Sequence, residues 1–226
     1  LSSPLLLKLS TEAPGTFHHS LNVSNLAQKA AKSIGVDSLL IRTAAFYHDI
    51  GKLKNPTMFI ENQSNCEIPH SLDGQSIKRN AEEIISHSKD GVLIAEKNGL
   101  PEEIIDLIAQ HHGTTRALYF YEKAREQGLK IQKTDFRYPG PVPLTREAAI
   151  LMLADSTEAT ARAFPNLTQE KIVNIVKNTI EDKIAEKQLK KSGLSESNIA
   201  SIRRSLENTL FSIYHQRIAY TKDDQN

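Results

Sequence analysis

The chain has 226 residues, room for one sizeable helical domain with a real core. Lys and Arg number 28 against 27 Asp and Glu, a formal charge of +1, so nothing in the bulk charge points to a nucleic-acid polymer or an acidic membrane surface. The single cysteine, Cys66, rules out an internal disulfide and fits a reducing compartment, and no apolar run approaches the length of a bilayer span.

In chain order the signals are helical. Leu1 opens the chain without a signal-peptide pattern, which reads as a soluble fragment of something longer. Ser3 and Pro4 suit an N-cap and a first helical position ahead of Leu5, Leu6 and Leu7. From His18 to Ile34, apolar residues recur every three to four positions until Gly35 stops the run. Asp37 caps a helix that carries Leu39 to Phe46 into His48 and Asp49.

A long loop is expected over 54–74, containing Pro56, Pro69 and Cys66. The pattern resumes at "SIKRNAEEIISHSKDG" and stops at Asn98–Gly99, before Pro101 opens "PEEIIDLIAQHHG". A short "YFYEKAREQ" helix leads into the connector "DFRYPGPVP", and Thr145 caps "REAAILMLADSTEATARAF". Two amphipathic helices capped by Thr168 and Ser195 finish the chain. No stretch demands a strand. The fold class is all-α, with a core over 1–165 and a C-terminal helical extension over 166–226 packed on it.

The chemistry concentrates in "AAFYHDIGK", where an apolar helix ends on His48 and Asp49 and breaks at Gly51. Burying such a pair without partners costs several kcal/mol. His19, His87, the His111–His112 pair and Asp155 inside "ILMLADSTEA" add further imidazole and carboxylate donors, with no thiolate among them. That donor set suits Fe, Mn, Zn or Ni rather than a structural zinc site. Adjacent residues on a helix point ~100° apart, so a pair serves one site best at a helix end. Both pairs are followed by glycine within two residues.

Each residue also has a plainer reading. A lone histidine on an amphipathic helix is usually packed or solvated, and His18, His70 and His215 stay in that class. Asp155 alone would be a satisfied buried carboxylate, for instance facing Arg162. One or two bound cations would satisfy the whole set together.

Read in order, His19, His48–Asp49, His87, His111–His112 and Asp155 resemble the HD-domain superfamily of metal-dependent phosphohydrolases. "APGTFHHSLNVSNLA", "YHDIGK", "FIENQ", "HHGT", "YFYEKA", "FRYPGPVP", "LADSTEA" and "HQRIAY" narrow the resemblance to the seven-transmembrane HD (PgpH-type) cyclic-di-AMP phosphodiesterases. The stretch "EIPHSLDGQ" departs from the family's usual Asn-Pro-His-Asp through Ile68 and Ser71, with His70 left to support the loop. "EKQLKKSGLSES" is more basic than the family pattern there. No Gly-Tyr-Pro signature follows "HHGTTRALYFY", unlike the relatives that cut cyclic-di-GMP.

The resemblance implies an all-α HD bundle, the cytoplasmic part of a protein tied to the membrane only through an N-terminal anchor outside this sequence. It implies two divalent transition-metal ions, iron or manganese. One would take His19, His48 and Asp155, the other His87, His111 and His112, with Asp49 bridging. It implies hydrolysis of cyclic-di-AMP to linear 5′-pApA by metal-activated water, with Asp49 and Lys52 catalytic and Lys52 on a phosphate. Arg137, Tyr138 and Asn62 are the further substrate contacts expected, and Tyr119, Phe120 and Tyr121 offer additional stacking faces. The alternatives are a phosphohydrolase of another nucleotide, such as a linear dinucleotide or a (p)ppGpp-like molecule, and a cyclic-dinucleotide sensor whose catalysis has lapsed. Oligomeric state is open.

Overall fold

The computed structural model describes residues 3–63, 74–164 and 167–214. Within them the order is α1 (Pro4–Glu12), α2 (Pro14–Ile34), α3 (Ser38–Tyr47), three 3-10 turns over residues 50–62, α4 (Gly74–Lys97), α5 (Glu102–Gln110) and α6 (Leu118–Glu126). After a 3-10 turn at Lys133–Phe136 come α7 (Arg146–Arg162), α8 (Gln169–Ala185) and α9 (Glu196–Tyr214). No strand occurs among the described residues, only an isolated antiparallel bridge between Arg116 and Arg137. The all-α expectation holds.

The caps act largely as their side chains dictate. Asp37 accepts from the Leu39 and Leu40 amides, Thr145 from Ala148, Thr168 from Lys171 and Ser195 from Asn198. Gly35 ends α2 in the left-handed region at φ 71°. Ser3 is a correction: its side chain makes no capping bond, and Pro4 alone sets the first turn of α1. α2 also begins at Pro14, four residues before the periodic pattern, because proline's fixed φ suits a first helical position.

α7 is the centre of the bundle. Every residue from Ala148 to Asp155 is buried, so this helix has neighbours all round rather than one apolar stripe. Ile150, Leu151, Met152 and Leu153 are fully buried, each contributing ~1.5–3 kcal/mol of transfer free energy. One apolar cluster joins α7 to α1, α2, α3 and α5 and takes in Ile172, Val176, Ile202 and Leu206 of α8 and α9. α9 lies along α2, and α8 packs on α7. A smaller cluster of Ile77, Ala81, Phe120, Tyr121, Ala124 and Phe136 ties α4, α6 and the connector together.

Cys66, Ile68, Pro69, His70, Ser71, the boundary at 165/166, His215 and "HQRIAY" lie outside the described residues. Among the described residues no helix is long and apolar enough to cross a membrane.

Candidate metal centre

α3 runs out at Tyr47, and His48 and Asp49 follow it into the first 3-10 turn. Gly51 then lies directly on the backbone of α4. A Cβ there would sit 1.8 Å from the His87 carbonyl oxygen and 2.6 Å from the Gly91 nitrogen. Only glycine permits that approach, which brings Asp49 to His87. Gly15 plays the same part at the start of α2, where a Cβ would meet the Glu61 carbonyl oxygen at 1.8 Å.

The result is a closed set of buried donors. His19, His48, Asp49, His87, His111 and Asp155 are each at most 5% exposed. Two groups emerge, Asp49 with His87, His111 and His112, and His19 with His48 and Asp155, the ligand atoms of each lying within 4.8 Å of one another. Asp49 faces both. Its Oδ1 lies 3.2 Å from His87 Nε2 and 3.7 Å from His111 Nε2, and its Oδ2 lies 3.3 Å from His48 Nε2 and 3.7 Å from His19 Nε2. Asp155 Oδ1 is 3.0 Å from His19 Nε2 and 3.7 Å from His48 Nε2, while its Oδ2 is 3.6 Å from His112 Nδ1.

Tautomers follow from the outer hydrogen bonds. The Nδ1–H of His48 donates to Ala45 O at 2.8 Å, that of His87 to Ile84 O at 2.6 Å, and that of His111 to Ile108 O at 2.6 Å. Each neutral ring so fixed aims a bare Nε2 lone pair inward. Yet His87 Nε2 lies 3.3 Å from His111 Nε2 and 3.1 Å from His112 Nε2. Between His87 and His111 two lone pairs face each other and cannot bond, so that pair needs a shared cation or an added proton. His112, whose Nδ1 meets no carbonyl, can instead donate an Nε2–H to His87. His48 Nε2 and Asp49 Oδ1 are buried within ion-pair reach of neighbours but have no hydrogen bond in acceptable geometry. Unsatisfied inward lone pairs of this kind fit divalent ions.

The electrostatics keep most groups in ligand form. Burial opposes ionising Asp49, but His48 and Lys52 outweigh it and hold its carboxyl well below the usual range. Asp155 is likewise held low, burial being outweighed by His19 and His48. Burial, reinforced by the charges of His48 and His87, pushes His111 down to about 3. His112 is also lowered, by burial and then His111. His19 and His48 are the exceptions: burial lowers both, but Asp155 and Glu158 outweigh it and raise His19, and Asp49 outweighs it and raises His48 to about 10.

Other sequence candidates land variously. His19 points inward, whereas His18 is exposed. Lys52 Nζ donates to Asp49 Oδ2 at 2.8 Å and Glu61 Oε1 at 2.7 Å, so two of its three N–H bonds are committed within the protein. Tyr138 is buried with its ring 4.1 Å from that of His112, held there by the pairing of the connector with residues 115–117. Arg137 Nη1 donates to Thr114 O at 2.6 Å. Asn62 is tied into the scaffold, accepting from Thr16 N at 3.0 Å and donating to Thr16 Oγ1 and Pro56 O. Phe120 and Tyr121 are core residues, and only Tyr119 of that stretch is exposed. Arg162 faces Glu158 at 3.9 Å, not Asp155.

Two residues of the site escape sequence reading. Glu158, fully buried one turn beyond Asp155, accepts a very short bond from His19 Nδ1 and further bonds from Asn22 Nδ2 at 3.1 Å and Tyr214 Oη at 3.4 Å. Glu61 accepts from both Lys52 and Thr16. The only available signal for Glu158 was its i+3 spacing from Asp155 within an apolar helix.

The family model for the HD domain matches residues 16–160. The chain is 43% identical over 217 residues to the cyclic-di-AMP phosphodiesterase PgpH of Bacillus subtilis, covering 96% of this chain. It is 44% identical over 220 residues to the protein of that name from Listeria monocytogenes, covering 97% of this chain. It spans 30% of the length of each of these relatives. A crystal structure of the L. monocytogenes PgpH HD domain in complex with cyclic-di-AMP superposes with a TM-score of 0.89 at 44% identity, covering 96% of this chain and 100% of that one.

Proposed function

This chain belongs to the HD-domain family, and from that premise we propose that it is a metal-dependent phosphodiesterase that hydrolyses cyclic-di-AMP to linear 5′-pApA. The observation that carries the reading is Asp49, buried with one carboxylate oxygen toward His87 and His111 and the other toward His19 and His48. In this reading His19, His48 and Asp155 hold one ion, His87, His111 and His112 hold a second, and Asp49 serves both. Bound there, divalent ions supply Lewis acidity that activates water and offsets phosphoryl charge. Histidine and carboxylate donors without thiolate suit Fe, Mn, Zn or Ni, and the resemblance to the family narrows this reading to iron or manganese.

The protein's own groups do the positioning. Lys52 fixes the Asp49 carboxylate through one N–H, is itself fixed by Glu61, and keeps a third N–H for a phosphoryl oxygen. Tyr138, lying on His112, closes one side of the centre and offers a face to a base. Arg137 keeps donors beyond its bond to Thr114 for a phosphate. Asn62 acts through the scaffold rather than on substrate, since its amide groups are engaged by Thr16 and Pro56. The identity to the two named phosphodiesterases supports the substrate; the membrane anchor and the cytoplasmic placement of this part rest on the resemblance to the seven-transmembrane HD family, and relatives about three times as long leave room for such an anchor.

The test is D49A. Hydrolysis of cyclic-di-AMP should vanish and both metals should bind more weakly, while circular dichroism retains most of the helix signal. Full activity in a metal-quantified D49A protein would sink the bridging role.

A further inference from the structure

His87 and His111 each donate from Nδ1 to a carbonyl one turn back, but the ring of His112 meets no backbone carbonyl among the described residues. Its Nδ1 lies 3.6 Å from Asp155 Oδ2 and its Nε2 3.1 Å from His87 Nε2. Where His112 points therefore depends on the backbone that carries it, the turn over residues 111–115. Gly113, in the middle of that turn, is left-handed at φ 53°. A Cβ there would sit 2.8 Å from Met152 Cε and closer still to Gln188 Oε1. Gln188 thus lies directly against the turn, although it comes from the far side of α8.

Gln188 is 1% exposed, while Lys187, Lys190 and Lys191 around it in "EKQLKKSGLSES" are exposed. Its Oε1 accepts from the Thr114 N–H at 3.0 Å, and its Nε2 donates to Thr114 Oγ1 at 3.0 Å and to Glu186 O at 3.2 Å. A backbone N–H can only donate, so the side-chain amide has one orientation here. On the other side of the same residue, Thr114 O accepts from Arg137 Nη1 at 2.6 Å. The turn that delivers Gln188 is braced in its own right. Leu189 belongs to the main apolar cluster, and Gln188 N donates to Lys183 O at 2.9 Å. Between them and α8 stands Lys187, left-handed at φ 60° where a helix end usually has glycine. A strained backbone at that point aims the next side chain inward.

We propose that Gln188 is a positioning residue for the His87, His111 and His112 set: it fixes the turn on which His112 rides and makes the C-terminal helices part of the metal centre. This rests on the two-ion reading above. Glutamine suits the task because it accepts from Thr114 and donates to Glu186 O at once. Methionine, of similar length, offers the Thr114 N–H only a weak acceptor and Glu186 O no donor. The His19, His48 and Asp155 set is carried by α2, the end of α3 and α7, and Gln188 makes no hydrogen bond to any of these among the described residues. Its influence should therefore fall on one ion and not the other.

The experiment titrates metal-free protein with Mn(II) against a competing chelator. Wild type should bind two ions, and Q188M should weaken one of them about 10- to 100-fold, the scale of a lost outer partner, leaving the other within about threefold. Ligand variants say which ion it is. In an H19A background, where the His87 set is left intact, Q188M should weaken the remaining ion by the same factor. In an H87A background the remaining ion should bind as tightly with Q188M as without it. Should Q188M not fold, as judged by circular dichroism, T114V removes only the hydroxyl that Nε2 bonds and should weaken the same ion about fivefold, the scale of one neutral hydrogen bond. Equal weakening of both ions, of neither, or of the ion left in H87A overturns the role of Gln188 and leaves the metal centre standing. Wild-type protein that binds fewer than two ions overturns the two-ion reading, and this inference with it.

Discussion

Replacing Glu158 by glutamine removes one negative charge from a residue with no solvent exposure while keeping its size. The native carboxylate accepts from His19 Nδ1, from Asn22 Nδ2 at 3.1 Å and from Tyr214 Oη at 3.4 Å, with Arg162 Nε 3.9 Å away. Burial works against its ionisation, yet His19 outweighs burial and holds the carboxyl low. That charge fixes the His19 tautomer and makes Nε2 a better electron donor. In E158Q the amide oxygen still accepts from Nδ1–H, but without the charge. Loss of such an outer partner costs about 10- to 100-fold in metal affinity, equivalent to about 1.4–2.8 kcal/mol. Only the His19, His48 and Asp155 set should feel it, because His87 and His111 are oriented by backbone carbonyls and His112 by neither. Titration of metal-free protein with Mn(II) against a competing chelator should therefore show one site weakened and the other within about threefold of wild type. Equal weakening of both sites, or none of either, would refute this role for Glu158.

The remaining expectations are simpler. G51A should force the turn off α4, since the new Cβ would sit 1.8 Å from His87 O; thermal and urea unfolding should report a loss of about 1–3 kcal/mol, and an unchanged midpoint would contradict the close-approach argument. Glu61 is held down to about 2, burial being outweighed by Lys52, so it stabilises the folded chain fully above its unfolded value of 4.5 and loses that contribution as pH falls through about 2. The stability gap between wild type and E61Q, measured by urea unfolding, should accordingly shrink between pH 5 and pH 3; a gap independent of pH would remove the Lys52–Glu61 pair as its cause. Stripping metal with a chelator should lower the melting temperature and reloading should restore it, because ligands that bind only the folded state stabilise it. Identical melting curves with and without metal would argue against the centre.

The cluster of buried histidines and aspartates was legible because each member breaks a local pattern. His48 and Asp49 interrupt an apolar helix at its end, Asp155 sits in a run of buried aliphatics, and adjacent histidines precede a glycine. A buried ionisable group is conspicuous on physical grounds alone. Glu158 was not legible, because an acidic residue in "STEATAR" reads equally well as a solvated helix face, and its burial depends on α2 and α9 arriving from distant sequence. Asn62 invited the opposite error. An asparagine in a loop looks free to meet a base, whereas Gly15 lets that turn dock so closely on α2 that Thr16 claims the side chain. The aromatic stretch at 119–121 shows the limit of pattern reading, since only the packing of Ile77 and Phe136 decides that Phe120 and Tyr121 face inward.

The most direct measurement is turnover of cyclic-di-AMP beside cyclic-di-GMP by metal-stripped protein reloaded separately with Mn(II), Fe(II), Zn(II) and Mg(II). The expected result is linear 5′-pApA from the adenine dinucleotide alone, only with a transition metal, and none in D49A. Tight binding of cyclic-di-AMP without turnover under any metal would contradict the enzyme and leave a sensor in its place.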